Sequence, residues 1–412
     1  MEMILEFLRD VLSQPALLIG IMSCVGLIAL KRPFHKIMTG TLKPILGYLM
    51  LAAGAGVIVS NLDPLGKMIE HGFHITGVVP NNEAIVAVAQ KVLGVETMSI
   101  LVVGLLMNLL IARFTKFKYV FLTGHHSLFM ACLMSAVLGT AGLSGIELIL
   151  VGGFLMGAWS AISPAIGQSY TSKVTDGDEI ALGHFGSLGY YLSAWVAKYV
   201  GKAEESTEDI EIPEKWGFLR DSTLSTALTM IVFYLIAAIA AGSEFVATLS
   251  GSMSPYLFAV MSAMNFAVGV AIVYSGVRMI LGDLIPAFQG IATKIIPNAI
   301  PAVDCAVFFT YAPTAVVLGF ISSFIGGIIG MLILGAVGGV LIIPGLVPHF
   351  FCGATAGIYG NATGGRRGAA VGAFLNGLAI TFLPALALPV LGQLGFQNTT
   401  FGDADFAVMG LV

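Results

Sequence analysis

Long apolar stretches recur from one end of this 412-residue chain to the other, and no other feature limits its fold as strongly. A bilayer core takes about 20 mostly apolar residues per helix. Candidate spans run from Ala16–Leu30, Leu42–Ser60 and Met98–Ala112 to Ala369–Leu391, and include Val120–Leu138, Phe185–Val200 and Val340–Phe351. The count is about ten, which predicts an all-α, polytopic transmembrane bundle. Composition agrees, with 57% hydrophobic and 10% charged residues. A soluble domain devotes about a quarter of its residues to charge. Lipid, rather than water, must therefore cover this one.

The hydrophilic remainder is small. Net charge is −4 and no basic patch suggests nucleic acid. No phosphate-binding glycine loop is present, so ATP hydrolysis by this chain is not expected. HExxH and GxSxG are absent, and no catalytic residue is assigned. Cys24, Cys132, Cys305 and Cys352 are scattered without zinc-ligand spacing and read as buried small hydrophobes. Neither metal nor cofactor is expected. Met1–Gln14 carries acidic residues and no basic cluster, which is not the pattern of a cleaved leader.

The stretch Lys202–Ser222 holds Glu204, Glu205, Glu208, Asp209, Glu211 and Glu214 and reads as a solvated connecting loop. It divides the chain into residues 1–201 and 223–412, each expected to form one transmembrane repeat. A weak internal likeness supports that division. Gly56–Ser60 followed by Val79-Pro80-Asn81 resembles Gly269–Val273 followed by Ile296-Pro297-Asn298. Further on, Thr175–Asp178 before Gly183-His184 matches Gly360–Gly365 before Arg366. Interrupted apolar segments in corresponding places of two halves point to inverted repeats around a solute site. Basic residues at Lys31–Lys36 and Arg113–Lys118 belong on the cytoplasmic side, which puts the N-terminus outside.

Polar groups within apolar runs are costly and therefore informative. His125 and His126 open one run; neighbours on a helix point about 100° apart, so one of them is expected to face a given pocket. His184 stands where a polar break meets a helix start. Asp304 is an isolated carboxylate after the Pro297-Asn298 break, suited to a site or to capping. Asn81, Asn82 and Glu83 follow Pro80, and with Ala84–Leu93 they suggest a re-entrant hairpin. Imidazoles, a carboxylate and amides together suit a hydroxylated, polar solute.

These segments resemble the membrane-spanning IIC component of the bacterial ascorbate-type phosphotransferase system. The likeness rests on Leu122–His125, Val174–Gly177 with Gly183-His184, Gly276–Met279, Val303–Cys305, Lys202–Ser206, Ala312-Pro313 and Leu341–Gly345, in family order from about Leu17 to about Leu391. It implies a homodimer in the bacterial inner membrane, each protomer having a substrate-holding core and an interface domain. It also implies uptake of L-ascorbate coupled to phosphorylation by a separate IIB component, whose phosphocysteine is charged through IIA. The substrate contacts it implies fall at Asn82, Glu83, His125, His126, Ser127, Leu128, Phe129, His184, Phe185 and Asp304. His125, His184 and Asp304 keep the family identities. Asn82 and Glu83 stand where a hydroxyl and an aromatic are expected, Ser127 where a thioether is, and Phe129 and Phe185 where glutamines are. A site that discriminates through hydrogen bonds changes selectivity when its amides are lost. A related sugar acid or polyol thus stands beside L-ascorbate as expected solute, and an ion-coupled transporter of the same fold as the alternative function.

Overall fold

A computed structural model describes residues 11, 14–74, 77–80, 82–210, 222–392 and 399–411. Twelve helices dominate it: α1 (Pro15–Ala29), α2 (Phe34–Phe73), α3 (Asn82–Phe114), α4 (Gly124–Thr140), α5 (Gly145–Thr175), α6 (Ser187–Val200), α7 (Ser222–Ala241), α8 (Ser243–Ser250), α9 (Pro255–Lys294), α10 (Pro313–Ala336), α11 (Leu346–Gly392) and α12 (Ala404–Leu411). A 3₁₀ helix spans Cys305–Thr310. Short strands lie between them: β1 (Val79–Pro80), β2 (Tyr119–Phe121), β3 (Ala181–Leu182), β4 (Ile300–Val303) and β5 (Thr399–Thr400).

Among the described residues, six helices are long and apolar enough to cross a bilayer. They become seven if α7 and α8, bent by 117° across Gly242, form one broken span. The expected count of about ten is higher for a physical reason. Val120–Leu138 divides into β2 and the 17-residue α4. Phe185–Val200 yields α6, whose 14 residues extend only about 21 Å. Val340–Phe351 becomes helical only from Leu346. Apolar runs buried inside a bundle look in sequence like runs facing lipid. The stretch Ala84–Leu93 is no hairpin arm either: it continues into a single 33-residue helix, α3.

Helices α2 and α9 each have 40 residues, about 60 Å, and pack antiparallel along their length. Glycines permit this. A Cβ on Gly47 would lie 2.9 Å from the Gly276 carbonyl, and one on Gly54 would lie 2.7 Å from that of Gly269. Backbones this close gain dispersion contacts that lipid tails do not offer. Helices α3 and α5 instead run parallel: Gly152 faces Ile100, while Gly157 faces Gly104 and Asn108.

The strands carry backbone into the middle of the bundle. β4 lies between β2 and β3, all parallel, with Tyr119 opposite Ile300 and Leu182 opposite Val303. β1 pairs in parallel with β5, and Val78 bridges Ile342 on its other side. Non-helical backbone at membrane depth is tolerated where protein satisfies its polar groups, and these pairings do so. The chain segments around Pro80 and Pro297 differ: Pro80 ends β1, whereas Pro297 lies in a turn ahead of β4 in which Asn298 has φ 61°.

Helix α11 breaks at Gly364 and Gly365, the latter with φ 60° and ψ −156°. The break packs on the start of the acidic stretch. Arg366 N donates to Glu205 O at 2.8 Å, and Thr207 N to Asn361 Oδ1 at 2.8 Å. Glu208 accepts from Thr314 N and Ala315 N, each at 3.1 Å, at the start of α10. Residues 202–210 are thus fastened to the bundle, with Thr207 buried, rather than freely solvated. Carboxylates at a helix N-terminus satisfy unpaired N–H groups, which sets this course. Glu211 and Glu214 lie outside the described residues.

Candidate functional site

A cavity of about 710 Å³ runs from a buried polar cluster to Asp63, Lys67 and Glu70 near the end of α2. Its size suits a small molecule, for which sites of about 300–1,000 Å³ are usual. One wall is α2, including Tyr48, Leu51 and Val59; the other is built where β1, β3, β4 and β5 deliver the chain to helix starts.

His125 and His126 occupy the first turn of α4, and both line the cavity. The cavity wraps around that turn, so the rotation between neighbours does not remove either. His125 Nε2 lies 3.3 Å from Asp304 Oδ2, and Tyr48 OH lies 3.1 Å from Nδ1. With the proton on Nε2, facing the carboxylate, Nδ1 would accept from the tyrosine. His126 Nδ1 accepts from Phe185 N at 3.3 Å. Its ring lies over that of His184, with centroids 3.8 Å apart and planes at 46°.

His184 sits in the loop between β3 and α6. Its Nδ1 accepts from Gly186 N at 3.1 Å and from Tyr190 OH at 2.9 Å. A backbone N–H can only donate, so in neutral His126 and His184 the network assigns the proton to Nε2. Both rings are then hydrogen-bond donors at that nitrogen. Ligand atoms of His126, His184 and Asp403, and of His184, Asp304 and Cys305, come within 4.8 Å of one another. Their spacing could admit a metal ion, but Nδ1 is occupied and Nε2 protonated on both histidines. The donor set fits hydroxyl recognition instead.

Asp304 begins the 3₁₀ helix and accepts from Ala306 N at 3.1 Å. Capping and lining the cavity are therefore combined in one residue, with the His125 ring beside its carboxylate. Asn82 begins α3; its Nδ2 donates to Asp403 Oδ2 at 2.7 Å, and its Oδ1 accepts from Gly402 N at 2.9 Å. Phe129 also lines the cavity.

Three candidates point elsewhere. Phe185 is fully buried and stacks on Phe121 at 4.6 Å, with Phe406 at 5.8 Å. Ser127 is buried and donates to Thr123 O at 3.4 Å, and Leu128 packs in the same apolar cluster as Phe185. Asn81 and the Glu83 side chain lie outside the described residues.

Sequence reasoning missed Tyr48, Tyr190, Cys352 and Asp403. Asp403 had a signal: Gly402-Asp403-Ala404 follows a strand and opens a helix, as Gly183-His184-Phe185 does. Gly365-Arg366, the match expected from sequence, instead breaks α11 far along its length.

Apolar helices enclosing a pocket of imidazoles and carboxylates define a membrane permease for a small polar solute. Known relatives narrow that class. The chain belongs to the family described as PTS system sugar-specific permease component, which matches residues 10–405. The ascorbate-specific PTS system EIIC component of Mycoplasma pneumoniae is 26% identical over 417 residues, covering 86% of this chain. The chain spans 62% of that relative's length.

Proposed function

We propose that this chain is a phosphotransferase-system IIC permease that binds and translocates L-ascorbate, or a related sugar acid or polyol. A separate IIB component, itself charged by IIA, would transfer a phosphoryl group from its cysteine to a substrate hydroxyl. The permease would be phosphorylated nowhere itself. The observation that carries this reading is the His125–Asp304 and His126–His184 cluster lining the end of the cavity in a chain of this family. Asn82, His125, His126, Phe129, His184 and Asp304 are the proposed substrate region, with His125, His184 and Asp304 at its centre.

The proposed protein is a homodimer in the bacterial inner membrane. Residues 1–201 and 223–412 form two inverted repeats joined by residues 202–222. Support comes from element order. α2, β1, α3, β2 and α4 recur about 222 positions later as α9, β4, the 3₁₀ helix with α10, the chain at Ile342, and the start of α11. Gly47 and Gly54 meet Gly276 and Gly269 in reverse order, as a two-fold axis in the membrane plane requires. On this correspondence Asn82 answers to Asp304; by the order of strand and helix start, at an offset of 219, His184 answers to Asp403.

Transport follows an alternating-access scheme. α1, α2, α7, α8 and α9 pack together as a scaffold, while the helices carrying the site form the core that shifts against it. The cavity between them exposes substrate to one side at a time.

Uptake by vesicles containing the permease is expected to require phosphorylated IIB. Uptake driven by a proton or sodium gradient without that partner would establish the ion-coupled alternative. Asp304→Asn and His184→Ala are each expected to abolish substrate binding while the protein still elutes as a folded species. Unchanged affinity in both removes the site assignment.

A further inference from the structure

Asp403 is a buried carboxylate at 4% exposure that faces the same cavity as Asp304, at 8%. Its neighbours do not neutralise it. Asn82 donates to Oδ2 at 2.7 Å and the Cys352 thiol to Oδ1 at 3.0 Å. Both donors are uncharged. Among the described residues its one basic neighbour within ion-pair distance is His184, whose Nδ1 lies 3.7 Å from Oδ1. That nitrogen already accepts from Gly186 N and Tyr190 OH. A carboxylate offers about four lone-pair sites, and among the described residues two donors reach Asp403, so it can accept further hydrogen bonds from a solute in the cavity.

His184 is close to both carboxylates: a ring nitrogen falls within 4.8 Å of ligand atoms of Asp403 in one group and of Asp304 in another, with Nδ1 3.7 Å from Asp403 Oδ1. All three side chains line the cavity, so a solute there meets an imidazole and two sets of acceptors together. Adjacent hydroxyls match this arrangement, because each can donate to a carboxylate while accepting from an imidazole. A substrate carboxylate or enolate does not match it, since it would meet two like charges.

We propose that Asp403 contacts substrate and, together with Asp304 and His184, recognises a vicinal diol, with any negative charge on the solute turned away from these carboxylates. Asn82 is then a positioning residue, which holds the Asp403 carboxylate through a closed pair of hydrogen bonds with Gly402. In L-ascorbate the matching group is the non-acidic glycol of the side chain. This proposal rests on the permease reading and sharpens which end of the solute the site reads.

The test uses purified full-length permease and two probes, L-ascorbate and D-sorbitol, each compared with the analogue lacking its terminal hydroxyl. Wild type is expected to prefer the parent of at least one pair by tenfold or more, the scale of a hydrogen bond to a charged group. Asp403→Asn is expected to narrow that preference about tenfold. A structural role would weaken parent and analogue equally, and an unchanged preference therefore overturns the proposal. Asp403→Ser serves if Asp403→Asn fails to elute as a folded species; failure of both to fold assigns Asp403 to the scaffold and also overturns it. Asp304→Asn is the control. If it abolishes binding while Asp403→Asn leaves the preference intact, only this inference falls. If wild type binds none of the probes, or Asp304→Asn binds them normally, the site reading falls with it.

Discussion

Each cavity histidine has one nitrogen engaged by its own surroundings: Tyr48 OH on His125, Phe185 N on His126, and Gly186 N with Tyr190 OH on His184. These contacts orient the rings before substrate arrives, which lowers the ordering cost of binding. Tyr48→Phe removes one of them without leaving a cavity. Loss of about 1 kcal/mol is expected, roughly a fivefold weaker affinity for substrate by calorimetry, with an unchanged melting temperature. At this scale His125, His184 and Asp304 were legible because each interrupts an apolar run. Tyr48 was not, since a tyrosine within an apolar helix carries no such contrast. Phe185 misleads for a related reason: its place in the chain beside His184 does not reveal that its side chain turns to Phe121 and away from the cavity.

Short helices that start inside the bundle depend on borrowed caps. Asp405 accepts from Ser187 Oγ at 2.6 Å, Leu188 N at 2.9 Å and Trp159 Nε1 at 3.2 Å, so α12 supplies the cap of α6. Asp405→Ala strands these donors, and a loss of about 3 kcal/mol is expected as a lower melting temperature. Substrate affinity should fall with it, because His184 lies in the turn just before α6. Glu208→Ala uncaps α10 instead; it is expected to cost about 1 kcal/mol and to leave affinity unchanged. At the α2–α9 contact, Gly269→Val places a side chain where a Cβ is already 2.9 Å from Gly54 O. Loss of the folded, monodisperse protein in size-exclusion chromatography is the expected outcome. Helix existence was legible from hydropathy at this scale. Helix length was not, as Val120–Leu138 shows: its first residues pair with β4 and its remainder forms a helix buried along much of its length.

The distribution of charge over the whole molecule gives it a direction. Arg113 and Lys173 lie in the last turns of the parallel helices α3 and α5, Lys116 and Lys118 just past α3, and Lys202, Arg366 and Arg367 gather at the fastened acidic stretch. Lys67 lies toward the other end, at the cavity mouth beside Asp63 and Glu70. Basic residues favour the cytoplasm. This distribution predicts a cavity that opens outward, with α11's break on the inner face. In intact cells a membrane-impermeant thiol reagent is expected to label Lys67→Cys and to spare Arg366→Cys, while opened cells permit labelling of both. The reverse pattern would invert the orientation.

The sequence by itself determined the membrane setting, the family and three central residues of the proposed site. Hydropathy is a sum over residues, and an unpaired polar group in an apolar run is conspicuous at any position, so neither needs the fold. Only the tertiary structure decided which apolar runs are long enough to span, because burial in protein and burial in lipid select the same residues. It alone joined Asn82 to Asp403 across 321 positions and placed β4 between β2 and β3. Those pairings arise where irregular backbone deep in a bilayer must find partners within the protein, and the partners it found belong to the other half of the chain.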